Sequence, residues 1–338
     1  MDIQYRKLIS VIVLALATLG GQGAAQEVEK EYRVYEYVLR QVQGPFDSVS
    51  VAIERGALRA GWTLLGRIDA GVPEKCPYRA RVFALYHPAY ANQIMAANRK
   101  TGPFAIVDRI NLFEDEEGQH ISVVNPHSIN RTVLMDDEKY KKMSAEHLQS
   151  LREMIISTAQ GTPSYKGYGE KRDRGLIGKT MGVMAGGRFD EKIDDLETAK
   201  DLPWNTVAER IESGLNKKGP KWGMHLVYRI EFPDFETVVF GTTGSPMDHE
   251  SFSIVGAGSD ESRSDLRCPG LAHAAAYPIE IVVANDPAGV KVRLVDPMFR
   301  MKMYFEDAGN WAFMKHMGMP GSIGDELRTQ IESTGKPQ

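Results

Sequence analysis

Six of the fifteen methionines fall in one stretch near the C-terminal end: Met298, Met301, Met303, Met314, Met317 and Met319, with His316 among the last of them. Thioether sulfur and imidazole nitrogen are donors that hold Cu(I), and both serve as axial ligands of haem. A copper or haem site would therefore draw on Met314, His316, Met317 and Met319. The competing role is packing. Met301, Met303 and Phe305 alternate with Arg300, Lys302 and Tyr304, the period-two pattern of a strand with one inward face, and methionine fills irregular cores.

The second chemistry is that of thiols. The chain has two cysteines, Cys76 and Cys268. Cys76 with His87 could form an activated nucleophile if folding joined them; the other outcomes are a disulfide between Cys76 and Cys268 or a buried thiol. Two cysteines exclude a cysteine-rich zinc site, and no C-x-x-C-H run exists for covalent haem. His120 and His127 read as turn and surface residues. Asp248, His249 and Glu250 read as the acidic start of a helix. Gly182 to Gly187 lacks the Gly-Lys-Ser/Thr of a phosphate loop.

The elements that must position these residues come in two series. Phe46 to Gly61 matches Trp204 to Gly219 without a gap, through Ile53-Glu54-Arg55-Gly56 and Ile211-Glu212-Ser213-Gly214. Each reads as one helix, capped at Asp47 or Ser48 and at Asn205 or Thr206, with Gly61 and Gly219 as left-handed exits. Gly118 to Pro126 reads GQHISVVNP and Gly289 to Pro297 reads GVKVRLVDP, each the second strand of a hairpin. Leu151 to Thr158 aligns with Leu327 to Thr334 in closing helices. Strands are expected over Tyr32 to Leu39, Trp62 to Ile68 and Arg81 to Tyr86, then near Ile177 to Met184, Met224 to Ile230 and Thr237 to Gly241. The acidic stretch Asp190 to Asp201 reads as a solvated excursion. Gly256 to Ala276 is an insertion found only in the second series, suited to a lid over a cleft between the two copies.

Arg6 and Lys7 precede an apolar run from Leu8 to Leu19, followed by Gly23-Ala24-Ala25. These are the parts of a secretory signal cut after Ala25, and the run is too short to span a bilayer, which takes about 20 residues. The expected organisation is a signal peptide over 1–25, a first domain over 26–160, a linker over 161–174 and a second domain over 175–338. The charge balance, 41 Lys+Arg against 45 Asp+Glu, argues against nucleic acid as partner. No later stretch is apolar enough to span a membrane.

The first helix with Gly61 or Gly219, the strand ending at His87-Pro88 or Ser245-Pro246, and the strand ending at Asn125-Pro126 or Asp296-Pro297 resemble the bacterial domain of unknown function 302. The resemblance covers nearly the whole mature chain, once per copy. It implies an α+β fold: two similar TATA-binding-protein-like domains, each a mainly antiparallel sheet with helices on one face. It implies no activity. Cysteines that many family members carry are replaced here by Tyr86 and Gly244, and by Phe104 and Ile279, so family thiol chemistry does not transfer. The expectation is a periplasmic, non-enzymatic binding or accessory module for a small molecule or another exported protein. The alternatives are the copper or haem protein and a thiol-based redox enzyme.

Overall fold

The computed structural model describes residues 33–172, 175–177, 186–258 and 265–334. The expected leader and most of the strand expected over 177–184 lie outside them. The fold is α+β, with antiparallel sheets. The first series runs β1 (Arg33–Arg40), α1 (Phe46–Arg59), β2 (Thr63–Asp69), β3 (Ala80–Tyr86), α2 (Pro88–Ala97), β4 (Asp108–Asp115), β5 (Gly118–Val124), α3 (Pro126–Val133) and α4 (Glu138–Ile156). The connection that follows holds β6 (Thr162–Pro163), β7 (Gly167–Lys171), β8 (Leu176–Ile177) and β9 (Gly187–Arg188). The second series is β10 (Ile193–Ala199), α5 (Trp204–Leu215), β11 (His225–Phe232), β12 (Thr237–Thr243), α6 (Ser245–Gly258), a 3-10 helix (Pro269–Ala276), β13 (Ile279–Asp286), β14 (Gly289–Val295), α7 (Pro297–Phe305), α8 (Asn310–Lys315) and α9 (Gly318–Glu332).

The two main sheets have matching strand orders, β2-β3-β4-β5-β1 and β11-β12-β13-β14-β10. Their irregularities match too. The β1–β5 ladder slips between Tyr37 and Leu39, and the β10–β14 ladder between Asp195 and Glu197. A bulge displaces one side chain from the alternation, so its recurrence sets the same faces inward in both sheets.

Sequence explains most helix starts. Pro88, Pro126 and Pro297 stand at the first helical turn, where a missing N–H costs nothing. The side chain of Asn125 accepts the His127 and Ser128 amides, and that of Asp296 accepts the Phe299 amide. The paired Asn-Pro and Asp-Pro are thus strand-to-helix corners. The expected caps of α1 and α5 are not used. Both helices begin one residue after a proline, Pro45 or Pro203, with no side-chain cap. Gly61 has φ +89, as a left-handed exit requires. Gly219 does not, and its role is steric. A Cβ there would collide with the Glu326 carboxylate, which accepts the amides of Lys221, Trp222 and Met224.

Three further expectations change. Met301, Met303 and Phe305 lie on helix α7, not on a strand, and every residue from Phe299 to Phe305 is buried. The acidic stretch before α5 forms β10, paired along its length with β14. Within the stretch read as a linker, β6 and β7 pair with β1.

Helices α1 and α4 cover one face of the first sheet, where Phe46, Val49, Ile53, Leu148 and Leu151 meet Phe83, Leu85, Ile110, Leu112, Ile121 and Val123. The opposite face packs against the second series in one larger core. There the fully buried 3-10 helix fills the space in which a cleft was expected. Asn111 Nδ2 donates to the Leu271 carbonyl at 2.8 Å, and Tyr168 Oη to the Ala272 carbonyl at 2.7 Å. The two sheets are also tied by charge. Arg109 Nη1 is 3.0 Å from Glu280 Oε1, and Arg300 Nη2 is 3.3 Å from Glu280 Oε2. Both guanidinium groups donate to the Ala276 and Pro278 carbonyls. Arg109 and Glu280 are the second residues of β4 and β13, so equivalent positions meet with opposite charge.

Candidate functional site

The methionine cluster divides between core and solvent. Met319 is buried on α9, whereas Met314 and Met317 are 38% and 43% exposed. His316 Nδ1 contacts Glu250 Oε1 at 2.9 Å.

Cys76 and Cys268 form a disulfide with a Cα–Cα distance of 5.9 Å. It ties the loop between β2 and β3 to the segment entering the 3-10 helix. His87 packs elsewhere, with its ring 4.9 Å from that of Trp62. Asp248 anchors the same loop. It is buried, accepts the Gly71 amide at 3.1 Å and accepts the Thr243 hydroxyl at 3.2 Å. Burial pushes its carboxyl up to about 7, against the opposing pull of those two bonds.

His120 is not a surface residue. It is fully buried on β5, with Nε2 2.8 Å from Asp115 Oδ1. Asp115, Glu117 and His120 offer ligand atoms within 4.8 Å of one another. Each has protein partners: Arg40 pairs with Glu117, and the Gln41 amide approaches His120 Nδ1.

Sequence reasoning missed a buried polar network in the first series. Asp108 Oδ2 accepts from Trp62 Nε1 at 2.8 Å, and both Asp108 oxygens lie 2.8 Å from His147 Nε2. The His147 ring stacks on Tyr90 with centroids 3.5 Å apart, and Asn130 Nδ2 donates to Tyr90 Oη and Ser144 Oγ. The signal available in the sequence was the mismatch between the series. With Asn125-Pro126 set on Asp296-Pro297 and Leu151 on Leu327, Asp108, Asn130, Ser144 and His147 fall on Ile279, Met301, Pro320 and Ile323. Those four residues line a small void of about 20 Å³ in the second series.

A recess lies at the outer edge of the second sheet. In the first sheet, the edge of β1 away from β5 is taken by β6 and β7, with Leu39 opposite Pro163 and Glu36 opposite Gly167. Among the described residues no strand pairs with the equivalent edge of β10. A groove of about 570 Å³ runs beside it, between residues 195–202 and the last turns of α9. Leu196, Ala199, Leu202 and Ile331 supply apolar wall, and Asp195, Glu197, Asp201 and Glu332 outnumber Lys200 and Arg328. Several of these charges are engaged within the chain. Arg210 pairs with Glu197, and Arg293 Nε lies 3.0 Å from Asp195. Arg328 Nη2 lies 3.0 Å from Asp194. Burial and the nearby Asp296 raise the Asp194 carboxyl, and Arg328 opposes them.

No family model and no curated protein matches the chain. Among solved structures it is similar to an uncharacterized conserved protein, DUF302, from Bacillus stearothermophilus. That match has a TM-score of 0.32 and 15% sequence identity, covering 37% of this chain and 98% of the other. No helix among the described residues is long and apolar enough to cross a membrane.

Proposed function

We propose that the chain is an exported, periplasmic binding module built from a tandem pair of one α+β unit, and that it binds an extended segment of another exported protein along β10. One observation carries this reading. Equivalent edges of two matching sheets are treated differently: the chain covers β1 with its own β6 and β7, whereas among the described residues no strand pairs with the outer edge of β10, which lies beside a groove. An edge strand presents a row of backbone donors and acceptors, and adding a strand is an established mode of peptide recognition. The groove's apolar wall suits alternate side chains of such a strand, and its acidic excess favours lysine or arginine between them. The disulfide fits an oxidising compartment, and the basic-apolar-small start of the sequence fits export.

The test is a titration of the full mature chain with an eight-residue peptide alternating valine and lysine, read by fluorescence anisotropy and by amide hydrogen exchange. Binding with Kd on the order of 10 µM is expected, with new protection confined to β10. Reversing the charge of Asp201 and Glu332 to lysine should weaken it at least about tenfold. Protection elsewhere, or affinity equal to that of an alternating valine–glutamate peptide, defeats the reading.

A further inference from the structure

The disulfide does not sit in sealed core. Cys76 and Cys268 both line an open cavity of about 360 Å³, together with Pro73, Phe252, Leu271 and the cations Lys75 and Arg267. That volume is within the range of small-molecule sites. Among the described residues no acidic side chain lines the cavity, and Lys75 and Arg267 are exposed at its rim. The two sulfurs are not equivalent. Cys76 is partly exposed in a turn closed by its own amide on the Pro73 carbonyl, whereas Cys268 is buried at the residue preceding the eight-residue 3-10 helix, with no side-chain capping bond.

We propose that this cavity is a thiol–disulfide exchange site for a small thiol bearing carboxylates, and that the incoming thiol attacks Cys76. The thiolate approaches Cys76 Sγ through the cavity while its carboxylates meet Lys75 and Arg267. A bond forms between the incoming sulfur and Cys76. The Cys76–Cys268 bond breaks with its electron pair passing to Cys268 Sγ, which leaves as thiolate and takes a proton from solvent. Its place at the start of the 3-10 helix favours that leaving charge. No net oxidation occurs in this step. A second thiol that displaces Cys76 leaves as the small-molecule disulfide, and the two thiols have then supplied the two electrons that reduce the pair. The attacked position follows from exposure and from helix placement independently. The site lies apart from β10, so it does not depend on the strand-binding reading.

The experiment exposes the folded full chain, without denaturant, to reduced glutathione and separately to its diethyl ester at equal thiolate concentration. Acid-quenched samples are mapped by peptide mass spectrometry. The expected product is glutathione on Cys76 with Cys268 free to alkylate. The charged thiol should react about tenfold faster than the ester, and the Lys75→Ala/Arg267→Ala double variant should remove that preference. An adduct on Cys268, a bond that opens only in denaturant, or a rate ratio unchanged in the double variant would each overturn the proposal.

Discussion

Two ion pairs at equivalent places show how differently one frame is used. In the first sheet Arg152 of α4 holds Glu36 of β1 by two bonds, at 2.6 and 2.7 Å, and the Glu36 side chain is 6% exposed. In the second, Arg328 of α9 holds Asp194 of β10 at 3.0 Å, and both side chains are 42% exposed. Pairing with β7 accounts for the difference. It covers Glu36 with Gly167, a position that takes no side chain, because a Cβ there would crowd Arg33. The same helix-to-strand contact is internal wiring on one side and part of a groove wall on the other. The interiors differ in the opposite sense: the first series buries the Asp108 network where the second has Ile279, Met301, Pro320 and Ile323.

The largest effect should come from forcing the first interior to resemble the second. Asp108→Ile removes the acceptor of Trp62 Nε1 and the partner of His147, two buried groups that cost roughly 2–3 kcal/mol each when orphaned, so about 5 kcal/mol in all. Denaturant midpoints measure it. The double variant Asp108→Ile/His147→Ile should recover about 2 kcal/mol of that loss, since one orphan is gone. If the single and double variants are equally unstable, the network is not a coupled unit and the contrast between interiors is only one of volume.

Asp248 tests how the series are joined. Its folded carboxyl titrates at about 7, above the ordinary value of 3.8, so the folded state binds the proton more tightly than the unfolded chain. Its contribution is fully present below about pH 4, falls as pH rises toward 7 and is flat beyond. The total is about 4 kcal/mol, since each tenfold gain in proton affinity is worth about 1.4 kcal/mol. Asp248→Asn keeps an acceptor for Gly71 and removes the titration. The stability difference between variant and wild type should therefore swing in the variant's favour between pH 4 and 7. A constant difference across that window would show that the buried bond to Gly71 is not tied to protonation.

What the sequence makes legible follows from physical pattern. The helices α1 and α5 and the hairpins β4–β5 and β13–β14 have glycine and proline punctuation and clean periodicity, and they are found where expected. β10 was hidden because its carboxylates are neutralised by distant bases, Arg210, Lys291, Arg293 and Arg328, that no local window contains. Helix α7 was hidden because burial on all sides erases amphipathic period, leaving an accidental alternation of Met301, Met303 and Phe305. The Asp108–His147 contact spans 39 residues, and neither residue type announces it. The Cys76–Cys268 bond is one of the outcomes the sequence allows, beside a buried thiol and a thiol paired with His87, and two cysteines give a single intramolecular pairing.

The smaller effects compare the two edges directly. Arg152→Ala leaves Glu36 in a buried site that already raises its carboxyl through burial, with Arg152 as the opposing influence, so a loss of about 3 kcal/mol is expected. Arg328→Ala removes an exposed pair and should cost less than about 1 kcal/mol. The order matters more than the sizes. If strand cover is what distinguishes the edges, salt should separate the variants too: raising ionic strength to about 1 M shortens the screening length to about 3 Å and should erase the Arg328 effect while leaving most of the Arg152 effect. Binding of the valine–lysine peptide along β10 should then move Arg328→Ala toward Arg152→Ala, because an added strand would cover Asp194 as β7 covers Glu36. If the peptide binds and the Arg328→Ala cost stays below about 1 kcal/mol, the peptide does not lie where β7 lies in the first sheet, and the two edges are not alternative states of one design.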